Sequence, residues 1–276
     1  MVDGQDLLQK RFFPNQDRMS VLTGMITIAY ILSRLLNIPT RIFAVQLPGI
    51  YLSISIDINT LVGFFVAGLT AAGADWIYRG HPALKGSALP HWILPALTAL
   101  VIGFPLRQLT FGIEWWIGLL LGVLLLALVL TGEYVSIDSN DIRHPLAAAG
   151  LSAVSFALFL VLAVSLRSEG IRLFLTLPGL AFGAWLVSLR VFHLRLQGQW
   201  LIYEAGLIGI ILSQIAAALY YWPVTPVAFG VLITGPAYAL NSLFIGLVEE
   251  RPLRRILVEP AIAILIAIGA AVWAMQ

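Results

Sequence analysis

The chain has 276 residues, of which 60% are hydrophobic and only 11% are charged, whereas about a quarter of the residues in an average soluble domain are charged. This composition predicts an all-α protein that crosses a membrane several times. The net charge of only +2 excludes a strongly basic surface, so we expect no nucleic acid among its partners, and the absence of cysteine excludes disulfides and thiolate metal sites.

The N-terminal residues 1–18 carry charges of both signs before any apolar run begins. We expect them to form a cytoplasmic segment, followed by a single transmembrane domain over residues 19–275. No small-residue cleavage pattern follows the first apolar run. We therefore interpret this run as a retained transmembrane helix and not as a signal peptide.

Nine apolar runs are long enough to span the bilayer core, which requires about 20 residues of helix. The third is the shortest, because Pro95 and Pro105 limit it. The sequence thus predicts a bundle of about nine transmembrane helices. The predicted spans are residues 19–38, 58–78, 92–106, 114–132, 145–166, 170–192, 201–221, 224–247 and 256–275.

The distribution of lysine and arginine predicts the orientation, because short cytoplasmic loops of membrane proteins are enriched in these residues. With the N-terminus in the cytoplasm and the C-terminus outside, the residues on the cytoplasmic side are Lys10, Arg11, Arg18, Arg79, Lys85, Arg143, Arg190, Arg195, Arg251, Arg254 and Arg255. Those outside are Arg34, Arg41, Arg107, Arg167 and Arg172. We expect the membrane to be the cytoplasmic (inner) membrane of a bacterium.

Residues 43–57, between the first two spans, alternate between apolar and polar side chains after a Pro-Gly pair at Pro48 and Gly49. This pattern predicts a short segment resembling a β-hairpin on the outer surface. Because the segment contains no reactive side chain, we interpret it as a connector and not as a gate for a substrate.

Two polar stretches at predicted cytoplasmic ends could bind a lipid head group. Arg79 lies four residues after Asp75, so these side chains share one helix face and can pair. Arginine can grip a phosphate, and nearby acids or histidines could act as acid, base or cation ligand. Alternatively, Arg79 extends to head groups only to anchor the helix, and Asp75 satisfies a neighbouring helix. The head-group-binding candidates are Asp75, Arg79, His81, Asp141, Arg143 and His144.

The predicted spans contain few strongly polar residues, and the candidates for an intramembrane site are Glu204, Gln214 and Asn241. Asn241 and Arg190 are possible partners for Glu204. Pro178 and Pro236 each lie beside a glycine and could bend their helices, as happens around the binding sites of transporters. The fifth span also has a surface of small residues, which we interpret as a surface for packing within the chain.

No pattern in the chain indicates a metal or a cofactor. The four histidines lack the spacing of a metal motif, and there is no phosphate-binding glycine loop, no dinucleotide fingerprint and no nucleophile elbow. We therefore predict no metal site, no cofactor and no assigned catalytic residue.

Three functions agree with these patterns. The scarcity of polar residues in the spans favours a non-catalytic accessory or scaffold component of a membrane assembly, with membrane lipids and other membrane proteins as partners. One alternative is a membrane-embedded enzyme or binder that acts on a lipid or isoprenoid phosphate at the cytoplasmic leaflet. The other is a small-molecule transporter.

Overall fold

The computed structural model describes residues 14–35, 41–47, 50–56, 58–84, 86–196 and 198–275. In these residues the chain forms nine α-helices, two short strands and one 3-10 turn. The elements in order are α1 (Gln16–Leu35), β1 (Arg41–Leu47), β2 (Ile50–Ile56), α2 (Ile58–Tyr78), the 3-10 turn (Leu89–His91), α3 (Ile93–Gln108), α4 (Ile113–Ser136), α5 (His144–Ser168), α6 (Leu173–Arg195), α7 (Ile202–Tyr220), α8 (Pro226–Val248) and α9 (Leu253–Trp273).

Eight of the nine described helices, α2 to α9, are long and apolar enough to cross a membrane. A helix suits this environment because all its backbone hydrogen bonds form within the segment. The prediction of a polytopic, predominantly α-helical membrane protein is confirmed at this level. Helix α1 is not among the eight, because charged residues at its two ends make it less apolar. Asp17 and Arg18 lie in its first turn, and Arg34 lies in its last turn. The ninth span therefore stays a prediction.

The third predicted span is confirmed as long and apolar enough to cross a membrane, and it is longer than its two prolines suggested. The 3-10 turn and α3 together cover Leu89–Gln108. Pro95 lies in the first turn of α3, where a backbone N–H has no partner within the helix and its loss costs nothing. Pro105 lies within the last turn of the helix, so it does not interrupt the span.

Strands β1 and β2 pair antiparallel, with Arg41 opposite Ile56 and Leu47 opposite Ile50. The Pro48-Gly49 pair between them and Asp57 lie outside the described residues. The position of this segment on the outer surface stays a prediction.

The contacts divide the chain into two compact units, the first ending at Tyr134 and the second beginning at Val135. The first contains α1 to α3 and nearly all of α4, and the second contains α5 to α9. Within the first, the Tyr30 hydroxyl of α1 donates a hydrogen bond to the Ala99 carbonyl of α3. The single transmembrane domain predicted for residues 19–275 stays a prediction.

Glycines allow helices of the second unit to pack at short distance. A Cβ atom added at Gly209 of α7 would lie 2.6 Å from the backbone oxygen of Ala181 in α6. A backbone atom cannot move aside as a flexible side chain can, so glycine is required here. One turn earlier on the same helix, the nearest atom to a Cβ at Gly206 is the Trp185 Nε1, at 4.0 Å.

We expect Gly209→Ala to lower the free energy of unfolding by about 1–3 kcal/mol, because it overpacks the contact between α6 and α7. The matched control, Gly206→Ala, should leave the stability unchanged or raise it by up to about 1 kcal/mol, since alanine favours the helix. Thermal unfolding of both variants in detergent measures the difference. Equal melting temperatures would contradict the packing described here.

Candidate functional site

The predicted pair at the end of α2 is present. The Arg79 Nε lies 2.6 Å from the Asp75 Oδ2, and the Arg79 side chain is 74% exposed. On the first helix, Arg18 donates a hydrogen bond of 2.6 Å to the Trp76 carbonyl and lies 4.7 Å from the centre of its indole ring. Two arginines thus surround the end of α2. The binding of lipid phosphate by Arg79 stays a prediction.

His81, the third candidate of the first unit, is buried. Its Nδ1 accepts a hydrogen bond of 3.1 Å from the Ala83 N–H, and its ring meets the Tyr134 ring edge to face at 4.5 Å. These contacts stabilise the turn that follows α2 and the packing against α4. The described contacts of His81 therefore give it a structural role.

A buried acid–base pair in the first unit was missed by the sequence analysis. The His91 Nδ1 lies 3.0 Å from the Glu133 Oε2, and both residues are buried. The fourth predicted span ends at residue 132, which places Glu133 in a loop. Helix α4 in fact continues to Ser136 and carries the carboxylate into the protein.

In the second unit, Asp141 and Arg143 bind each other before α5 begins. The Arg143 NH2 lies 2.9 Å from the Asp141 Oδ2, and the Arg143 N–H donates to the Asp141 Oδ1 at 2.8 Å. This hydrogen bonding raises the pKa of Arg143, so its guanidinium stays charged. His144 begins α5, and its buried Nδ1 has no hydrogen-bond partner among the described residues. These candidates and those of α2 belong to different units, and head-group binding by either group stays a prediction.

The three intramembrane candidates have different environments. Gln214 is exposed on α7, whereas Asn241 is buried in α8 with 1% of its surface exposed. Glu204 is half-buried in the first turn of α7. Within the part of the chain that the structure describes, no hydrogen bond or ion pair links Glu204 to the partners considered for it, Asn241 and Arg190.

A cavity of about 270 Å³ in the second unit contains one of these candidates, Asn241. Its walls come from α5, α6, α8 and the beginning of α9, and its mouth is charged. The exposed charged residues that line it are Arg195, Glu249, Arg251 and Glu259.

Two helix faces form the interior of the cavity. Residues 149, 152, 153 and 156 of α5 follow the spacing of one face, as do residues 238, 241, 242 and 245 of α8. Three of these side chains on α5 are small, and they leave room for the cavity: Ala149, Ser152 and Ala153. This face was predicted only as a packing surface, because small residues on one helix have the same spacing whether a neighbouring helix or a cavity lies against them.

Most charges at the mouth have partners. The Arg251 NH2 lies 2.5 Å from the Glu249 Oε2, and the Tyr238 hydroxyl donates a hydrogen bond of 2.9 Å to the Glu259 Oε1. Arg195 differs, since its guanidinium has no hydrogen bond or ion pair with any residue that the structure describes. The place of Glu259 in this cavity was not predicted from the sequence.

We expect the cavity to admit water-soluble reagents from its mouth. Because the chain has no cysteine, Ser242→Cys introduces a single thiol in the cavity wall, and it should react with a small charged thiol reagent. The control, Ser155→Cys, places the thiol at a fully buried position of α5 outside the cavity and should stay unreacted. If Ser242→Cys is as inert as the control, the cavity is closed and this description is wrong.

The comparisons with known proteins give a family but no activity. Residues 38–274 match the family described as Protein of unknown function (DUF5656). No curated protein and no solved structure shows significant similarity to the chain. The match covers most of the chain, from the two strands through α9, and excludes α1. The chain therefore belongs to this family of proteins of unknown function.

Proposed function

We propose that this protein binds the head group of a polar lipid in the cavity of its second unit. The observation that carries the proposal is the guanidinium of Arg195, which lines this cavity without an ion-pair partner among the described residues. Phosphate is the anionic group that phospholipids share, and arginine binds it through two parallel hydrogen bonds. The proposal retains the lipid-phosphate alternative from the sequence and moves its site to the cavity.

The size of the cavity supports a head group over a larger ligand. Pockets for drug-sized molecules have volumes of about 300–1,000 Å³, and this one has about 270 Å³. The acyl chains of the lipid would stay outside, against apolar side chains that flank the mouth. Such residues, all exposed, are Leu247 and Val248 at the end of α8 and Leu257 and Val258 in α9.

The contacts at the mouth favour binding over catalysis. Glu249 is engaged by Arg251, and Glu259 accepts a hydrogen bond from Tyr238, so both carboxylates have structural partners. A non-catalytic function also agrees with the scarcity of polar residues in the spans. In the accessory or scaffold interpretation, the lipid would be a structural component of a membrane assembly, and protein partners stay a prediction.

We infer that the mouth of the cavity faces the cytoplasm, with the N-terminus on the same side and the C-terminus outside. Arg195, Arg251 and Arg254 lie at this end of the second unit, and cytoplasmic ends are enriched in such residues. The ligand would then come from the inner leaflet. We keep the cytoplasmic membrane of a bacterium as the proposed location.

The lipid proposal predicts that Arg195→Gln releases a lipid that the unchanged protein retains. Loss of a hydrogen-bonded phosphate contact should weaken binding about tenfold or more. Native mass spectrometry of the protein purified with its lipids measures the retention. The matched control is Arg254→Gln, which removes an exposed arginine of α9 that does not line the cavity. If both variants retain lipid as the unchanged protein does, the site is not the cavity.

The orientation predicts which single cysteines react from which side of sealed inside-out and right-side-out vesicles. Ser139→Cys, after α4, should react only from the cytoplasmic side, and Thr110→Cys, before α4, only from outside. Gln16→Cys should behave as Ser139→Cys does if α1 spans the membrane. A reversed pattern at residues 139 and 110 would contradict the orientation, and a match of Gln16→Cys to Thr110→Cys would reduce the spans to eight.

A further inference from the structure

We propose that the head group held in this cavity carries a primary ammonium in addition to its phosphate, as phosphoethanolamine does. The inference rests on the proposed function and specifies the chemistry of its ligand. It comes from three side chains that line the cavity and require different partners: Arg195, Glu259 and Asn241.

The Asn241 side chain has an acceptor that needs a donor. Its Nδ2 donates to the Ser188 Oγ at 2.9 Å and to the Ala237 carbonyl at 2.8 Å. Because a carbonyl can only accept, the second bond fixes which end of the amide is nitrogen. The Oδ1 then accepts no hydrogen bond from the described residues, although Asn241 is almost completely buried. A ligand that donates a hydrogen bond would satisfy this oxygen.

The carboxylate of Glu259 is only partly compensated. Its Oε1 accepts the hydrogen bond from Tyr238, and its Oε2 lies 3.9 Å from the Arg251 NH1. Arg251 makes its shorter contact, of 2.5 Å, with Glu249. Because Arg251 is closer to Glu249, the Glu259 Oε2 can accept a further hydrogen bond from a ligand, and Arg195 has no ion-pair partner among the described residues. A zwitterion complements both.

Aromatic rings add a further preference for a cation. The Phe156 and Tyr238 rings both line the cavity and meet edge to face, with their centres 5.3 Å apart. The face of an aromatic ring attracts a positive charge. An ammonium group between these rings and Glu259 would therefore be stabilised from two sides.

The depth of the groups agrees with one head group that reaches inward from the mouth. Asn241 binds Ser188, which precedes Arg195 by seven residues of α6 and so lies roughly 10 Å deeper along the helix. Helical side chains tilt toward the helix N-terminus, so the long side chain of Arg195 shortens this separation. The phosphate would lie at Arg195, and the ammonium would lie between Glu259 and Asn241.

These contacts distinguish among common head groups. A choline group has no N–H and cannot donate to the Asn241 Oδ1. A glycerol group can donate through its hydroxyls but offers no positive charge to Glu259. Ethanolamine offers both the donor and the charge, so the cavity should prefer it.

The test compares lipids with identical acyl chains added to the delipidated protein in detergent, with binding measured by native mass spectrometry. The lipids are phosphatidylethanolamine, phosphatidylcholine and phosphatidylglycerol, and free phosphoethanolamine is the soluble probe. We expect phosphatidylethanolamine to bind about tenfold more tightly than the other two lipids, as the gain of one charged hydrogen bond implies. Free phosphoethanolamine should bind more weakly than the lipid that carries it.

Two variants of cavity residues and one control test whether this preference arises in the cavity. Glu259→Gln keeps the shape of the side chain and should reduce the preference to within about twofold, since one charge-assisted contact is lost. Glu250→Gln, at an exposed position outside the cavity, should keep the full preference. Asn241→Leu should also abolish the preference for phosphatidylethanolamine. If Asn241→Leu does not fold, Glu259→Gln alone tests the inference.

The outcomes separate the inference from the proposed function. Lipid binding that depends on Arg195 but does not distinguish ethanolamine from choline or glycerol would overturn the ammonium inference and leave the lipid proposal standing. If free phosphoethanolamine binds as tightly as the lipid, the lipid proposal fails and the head-group chemistry stands. If neither the lipids nor the soluble probe binds, both fail.

Discussion

The amide of Asn241 is the interaction on which the candidate site depends. In an apolar membrane core a polar side chain must find its partners within the protein, and Asn241 gives both N–H groups to such partners. One bond runs to Ser188 and ties α8 to α6, and the other returns to its own helix at Ala237. Both donors are thereby used, and the acceptor faces no donor among the described residues. This arrangement fixes Asn241 as a polar side chain in the wall of the cavity.

Different helices contribute different parts of the rest of the cavity. Helix α5 contributes small side chains such as Ala149 and Ala153, which leave space where larger residues would fill it. Helices α6 and α9 end or begin at the mouth, so their terminal charges can remain near water. A cavity lined by both apolar and charged side chains suits a molecule that also has both, which is the character of a membrane lipid.

Local and compositional features could be predicted from the sequence, whereas the cavity could not. Hydropathy predicts α2 to α9 because a membrane requires each helix to be apolar along its length, and the Asp75–Arg79 pair follows from helix spacing alone. The pair of Tyr238 with Glu259 requires two helices to meet, which depends on packing that a single sequence does not reveal. Similarly, Glu133 could be recognised as buried only once α4 was seen to continue past residue 132.

The central claim is that a lipid head group occupies the cavity beside Arg195. An experimental structure of the protein in a bilayer of native lipids would test it most directly. The account predicts density for a phosphate within hydrogen-bond distance of the Arg195 guanidinium, with density for the rest of the head group reaching toward Asn241 and acyl chains against Leu247 and Leu257. A cavity that holds only water, with lipids ordered elsewhere on the protein, would contradict it.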